Sequence, residues 1–306
     1  MQCSVRVDDL PTWSRKTLAL TATIAAIIAL HLAVIRPWFR QWGATDAEAT
    51  RSLPGDDIVP GGVAQTTRAI TIRAPIEDVW PWLAQLGQDR GGFYSYEVLE
   101  DLVGTHMTNA DEILPQHQAW KPGDRLWMYP PGAFEQAGIP LLVHVPGRAL
   151  AFGTWQIGTA ASEPPDGSWA FVLEPIDGNT TRFLVRGRAR GGQPLLAQWF
   201  GGGVFEQVHF VMERKMMTTL AARAEGTPVS WTADTIEVVC WAFTVALIIT
   251  AFVLVIRRRA WIRPLAGLAG GALAFQGLTF LQPGPIIAMV VVTGLAMALF
   301  LPARAV

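Results

Sequence analysis

Hydrophobic and polar positions along this chain follow two different rhythms. Leu18 to Ile35, Ile236 to Ile256, Pro264 to Leu281 and Ile286 to Leu301 are nearly unbroken apolar runs, whereas the long stretch between the first two alternates and is punctuated by turn residues. A helix rises about 1.5 Å per residue and bilayer hydrocarbon is roughly 30 Å thick, so the four runs predict membrane-crossing helices, the last being the shortest and borderline. The middle stretch predicts a water-soluble domain. There, "QTTRAITIRA" alternates and is β-branched, as a strand should be, and "PIEDVWPWLAQLG" starts with Pro75 at a favoured first helical position and stops at Gly87. Pro81 inside that helix is expected to kink or split it. "SYEVLEDLVG" predicts a second short helix, capped by Ser95 and ended by Gly104.

Five further strands are expected at 124–130, 140–145, 148–155, 168–176 and 180–189, separated by turn signals such as Pro146-Gly147 and Asp177-Gly178-Asn179. From Phe205 to Arg223, the residues Phe205, Val208, Met212, Met216 and Leu220 recur at spacings of three and four and predict a long helix with one packing face. The fold class is therefore α+β, an antiparallel sheet with a long C-terminal helix, plus membrane-spanning helices. The chain reads as an N-terminal anchor helix (1–40), a linker rich in acids and turn formers (41–63), the α+β domain (64–226) and a C-terminal bundle of three transmembrane helices (233–303).

Composition agrees with the membrane assignment. Of 306 residues, 51% are hydrophobic and only 16% charged, against roughly 25% charged in an ordinary soluble domain. Arg15 and Lys16 precede the first run and "AEA" at 47–49 imitates a signal-cleavage site, yet the run's length and the intervening Arg36-Pro37-Trp38-Phe39-Arg40 favour an uncleaved anchor, with Trp13 and Trp38 at the two interfaces. "RRRAWIR" at 257–263 puts four arginines in one short link, so the positive-inside rule sets that link, the N-terminus and the C-terminus in the cytoplasm and the soluble domain outside. Arg36, Arg40 and Arg51 on the far side of the first run pull the other way. Glu237, at the edge of the second run, is expected at headgroup depth, and His31 lies close to the end of the first. With so few ionisable groups inside, the bundle reads as an anchor rather than a transporter. Gly267 and Gly271 make a GxxxG spacing.

A net charge of −1 provides no field to attract nucleic acid, and the arginines of "RFLVRGRAR" at 182–190 alternate as the solvated face of a strand would. Cys3 and Cys240 make a poor disulfide pair by position. The chain has no GxSxG, P-loop, HExxH or CxxC pattern and its five histidines are scattered, so neither a cofactor nor a metal is expected.

Several segments in order, "TTRAITIRAPIEDVWPWLAQLGQDRGGFYSYEVLEDLVG", "NADEILP", "KPGDRLWM", "PGRALAFG", "GSWAFVLEPIDGNTTRFLVRGRARG" and "VHFVMERKMM", resemble a bacterial, largely actinobacterial branch of the SRPBCC superfamily, over about Gln65 to Glu225. That superfamily unites START lipid-transfer domains, birch-pollen allergens and polyketide aromatase/cyclases. The resemblance implies a helix-grip architecture, a seven-stranded curved sheet around the long helix enclosing an apolar cavity. It also implies that the two short helices form one lip of that cavity, with Arg90 to Tyr96 near the mouth.

The candidate ligand-binding residues follow. Arg90, Tyr94 and Tyr96 offer polar tips on a glycine-rich corner, unless Arg90 simply pairs with Glu97, Glu100 or Asp101. Asn109 and Glu112 fit a capping box for a turn that Pro115 ends. His144 lines the cavity if its strand register points it inward. His209 lies beside the apolar stripe, flanked by Glu206 and Glu213 at three and four residues. Trp155, Trp169 and Met212 are core or cavity wall. The expected activity is binding of an apolar or amphipathic small molecule, such as a lipid, isoprenoid or polyketide-like compound, beside the bilayer. The alternatives are a cyclase or dehydratase and a non-binding structural domain.

Overall fold

The computed structural model describes residues 11–121, 123–133, 137–155, 165–190 and 203–301. In chain order the helices are α1 (Thr12–Arg40), α2 (Asp46–Thr50), α3 (Ile76–Ala84), α4 (Glu97–Leu102), α5 (Gly203–Ala224), α6 (Trp231–Arg257), α7 (Ile262–Leu281) and α8 (Pro285–Phe300). The strands are β1 (Val63–Ile72), β2 (Arg125–Trp127), β3 (Gly138–Val145), β4 (Ala149–Thr154), β5 (Gly167–Asp177) and β6 (Thr180–Ala189). Two compact units result, one from Trp38–Trp231 and a helical one from Met1–Pro37 with Thr232–Val306.

The first unit is α+β. Its strands form one antiparallel sheet in the order β1-β6-β5-β4-β3-β2, six strands among the described residues, as the alternation predicts. Because side chains alternate, Phe171, Leu173, Phe183 and Val185 fall on one face with Ile72, Leu150 and Phe152, and Met216, Met217 and Leu220 of α5 and Val79 and Leu83 of α3 pack onto them. Val172 and Leu184 point the other way, into a smaller cluster with Leu53, Ala69 and Ala149. Both faces are thus covered.

The outer cover is the segment read as a linker. Thr45 and Glu48 close a capping box on α2, and the arginines expected on a solvated strand face hold this segment down instead. Arg186, 2% exposed, pairs with Asp56 at 2.8 Å and donates to the carbonyls of Glu48, Ala49 and Arg51, while Arg182 pairs with Glu48 at 2.8 Å. Alternation identified the face correctly, and tertiary packing reversed its solvation. The stripe on α5 is corrected in its first half: Phe205 and Val208 are exposed, and Phe210, Glu213, Met217 and Leu220 form the buried line. Pro81 does not split α3, which runs unbroken to Ala84. The carbonyl it leaves without a donor belongs to Glu77, in the exposed first turn where water can reach it.

In the helical unit, α1, α6 and α7 are long and apolar enough to cross a membrane, and α8, with 16 residues, is shorter. Ala251, Leu268 and Leu299 centre the packing, with Leu20 and Ile27 of α1 against them. A Cβ on Gly271 would stand 2.8 Å from Ile248, so this glycine of the GxxxG spacing permits close approach of α7 to α6. Lys16 donates to the Ile256 and Arg258 carbonyls, and Arg263 to those of Ala298 and Leu301. These cations gather at the C-terminal ends of α6 and α8, where the helix dipole favours positive charge. Glu237 is buried rather than at an open edge, its carboxylate 4.0 Å from where a Cβ on Gly284 would stand, beside the N-terminus of α8. His31 bonds Gln276 at 2.9 Å. Cys240 is a buried free thiol, and Cys3 and Arg6 lie outside the described residues.

Candidate functional site

The corner after α3 is built on a tight loop in which Gly87 and Gly92 bridge each other through both backbone hydrogen bonds. Gly92 adopts φ 75°, and a Cβ there would fall 2.5 Å from Asn109 Oδ1, so only glycine fits. Tyr94 also has a positive φ, 55°, rare for a bulky residue. Its N–H donates to Asn109 Oδ1 and its hydroxyl to the Trp82 carbonyl, which hold it in place. Asn109 therefore crosslinks this corner, donating also to the Ser95 carbonyl, and does not form a capping box with Glu112; Pro115 begins a 3-10 turn instead of ending one. Ser95 bonds the Met212 carbonyl on α5, Tyr96 is the cap of α4, and Gly104 and Thr105 turn back to the Asp101 and Glu100 carbonyls.

Arg90 and Tyr94 are both committed to this scaffold. Arg90 donates to the Ala84 and His117 carbonyls and lies 4.1 Å over the Trp120 ring, pairing with none of Glu97, Glu100 or Asp101. Desolvation lowers its affinity for its proton, and burial raises that of the Tyr94 hydroxyl. Tyr96 is fully buried under Lys215. His144 lies opposite Leu150, hence on the inner face, but at the exposed end of β3, where it stacks on Trp80. Trp155 is half-buried against the main core.

The polar centre lies elsewhere, on the first half of α5. Arg68 on β1 and Glu213 on α5 form an ion pair at 2.6 Å, their side chains 0% and 1% exposed. The second oxygen of Glu213 accepts from Trp169 Nε1 at 2.8 Å and has His209 Nε2 at 3.8 Å. His209, partly exposed, contacts the rings of Trp169 and Phe205, and Trp169 in turn meets Phe93 and Phe171. Glu206 pairs with Arg40 at 3.2 Å on the same helix's first turns. So Trp169 and His209 meet at Glu213 and reach the corner through Phe93, Met212 is tied to the corner by Ser95, Glu206 is paired with Arg40, and His144, Arg90 and Tyr94 stand apart.

Electrostatics follow from this geometry. Burial alone would raise the Glu213 carboxyl, but the charge of Arg68 and the hydrogen bonds from Arg68 and Trp169 hold it below its ordinary value. Desolvation lowers His209 despite the pull of Glu213, so its imidazole is neutral near pH 7 and can accept a proton or a hydrogen bond. Among the described residues no His, Cys, Asp and Glu group has metal-binding geometry. Arg68 was missed by the sequence reading. Its signal was there, an arginine in phase with Ile70 and Ile72 on the inner face of an alternating strand.

No family model matches the chain, and no curated protein does. Among solved structures, protein MLL2253 from Mesorhizobium loti is similar over 54% of this chain and 100% of its own, at 16% identity and a TM-score of 0.28. The protein encoded by gene BPP1335 from Bordetella parapertussis is similar over 54% of this chain and 78% of its own, at 20% identity and a TM-score of 0.29.

Proposed function

We propose that the Trp38–Trp231 unit is a helix-grip domain of the SRPBCC kind that binds an apolar or amphipathic small molecule at the membrane, on its extracytoplasmic side. The observation that carries this reading is the partly exposed His209, backed by the buried Arg68–Glu213 pair and framed by Trp169, Phe93, Phe171 and Phe205. Ligand sites are mostly apolar with a few placed polar groups, and this is such a set. The clustering of Lys16 and Arg263 with the 257–263 arginines at one end of the helical unit supports the orientation by the positive-inside rule.

The test is native mass spectrometry of the full chain purified from its host in detergent. A reproducible bound mass of lipid or polyketide size, lost on His209→Leu with Trp169→Ala, supports the reading. A clean apo mass that no host lipid extract alters refutes it and favours a structural domain. The His209–Glu213 distance of 3.8 Å also favours a second reading, a cyclase- or dehydratase-like enzyme with His209 as base. That reading requires His209→Gln to keep the ligand yet abolish its conversion.

A further inference from the structure

This inference rests on the ligand-binding reading and narrows it to one head-group chemistry. Glu213 uses one oxygen on Arg68 Nη1 at 2.6 Å and the other on Trp169 Nε1 at 2.8 Å. Arg68 uses Nε on the Phe39 carbonyl at 2.9 Å, while its Nη2 is buried and has no acceptor among the described residues. The guanidinium lies 4.9 Å from the centre of the Phe210 ring, so an aromatic face, not water, covers one side of it. Buried N–H groups almost always meet an acceptor. The cluster therefore has a donor left over, with each Glu213 oxygen already engaged once.

Charge narrows the choice of acceptor. Arg68 and Glu213 cancel, His209 is held neutral by desolvation, and Glu206 is matched by Arg40. A carboxylate or phosphate entering here would leave a net negative charge among the rings of Trp169, Phe171 and Phe205, which burial penalises. A hydroxyl head would bring a donor of its own, for which it would have to recruit His209 or Glu213 as acceptor. A carbonyl oxygen needs only a donor, and Arg68 Nη2 is the one the cluster has spare.

We propose that the ligand of this site is an amphipathic molecule with an uncharged carbonyl head, a long-chain ketone or aldehyde in chemical class, whose oxygen accepts from Arg68 Nη2 next to His209. The head group, not the chain, then sets selectivity.

The experiment uses the full chain in a neutral detergent with three probes of equal chain length: a 2-alkanone carrying a 13C carbonyl, the parent alkane and the fatty acid, at pH 8. The expected result is that the ketone binds about tenfold tighter than either, as one charge-assisted hydrogen bond supplies, with its carbonyl stretch moved to lower wavenumber. The charge-neutral double variant R68Q/E213Q should abolish both the preference and the infrared shift. Equal binding of all three probes overturns the head-group assignment and leaves the ligand-binding reading standing. Binding of none overturns both. The ratio in the unmutated protein decides the matter even if the double variant fails to fold.

Discussion

Glu100 offers a quantitative test of how this fold treats a buried acid. It sits on α4 with its side chain buried, and its Oε2 has no hydrogen-bond partner among the described residues. Desolvation first, then the neighbouring charges of Glu97 and Asp101, push its carboxyl from 4.5 up to about 7. The folded state thus holds the proton more tightly than the unfolded chain. Its stabilising contribution is complete below pH 4.5, declines as the pH rises toward 7, and is absent above that. A displacement of that size corresponds to ~3 kcal/mol. Glu100→Gln preserves the neutral shape and removes the titration, so it should match the parent protein at pH 4 and exceed it by ~3 kcal/mol at pH 8. In a unit of this size that is a difference of roughly 6–12 °C in midpoint. Tryptophan fluorescence during thermal unfolding of the full chain in detergent reads it, parent and variant side by side from pH 4 to 8. A difference between the two that stays constant over this range would show that Glu100 ionises freely in the folded state, and would refute the reasoning.

Other expectations follow from named contacts. Arg68→Leu strands Glu213 without its partner in the interior and should cost ~3–5 kcal/mol, whereas R68L/E213L, which removes both charges, should recover most of that loss in the same melt. Asp56→Ala removes the carboxylate that Arg186 grips, so trypsin should cleave after Arg51 faster than in the parent, with ~2 kcal/mol of stability lost. Gly271→Leu collides with Ile248 and should lower the melting temperature of the helical unit by the equivalent of ~1–3 kcal/mol; Gly277→Leu, with nothing among the described residues within 4 Å of its Cβ, should be tolerated. Glu48 is held at about 2, chiefly by its hydrogen bond from Arg182. Its contribution is present above pH 4.5 and lost as pH falls toward 2. Arg182→Ala should return its carboxyl titration, followed by 13C NMR, most of the way to 4.5.

Taken alone, the sequence determined the elements. Period-two alternation located all six described strands within a few residues, and the unbroken apolar runs located the long helices, because both signals are local consequences of backbone geometry and solvent. Tertiary structure decided which faces meet and which polar groups are desolvated. That Arg182 and Arg186 clamp residues 41–63 onto the sheet, or that Arg68 reaches Glu213 from a strand 145 positions away, depends on contacts distant in sequence, which no periodicity encodes. For the same reason Arg90 and Tyr94, legible as polar residues on a glycine corner, turned out to serve backbone carbonyls. His209 found its acid on its own helix, where an i, i+4 spacing does carry the information.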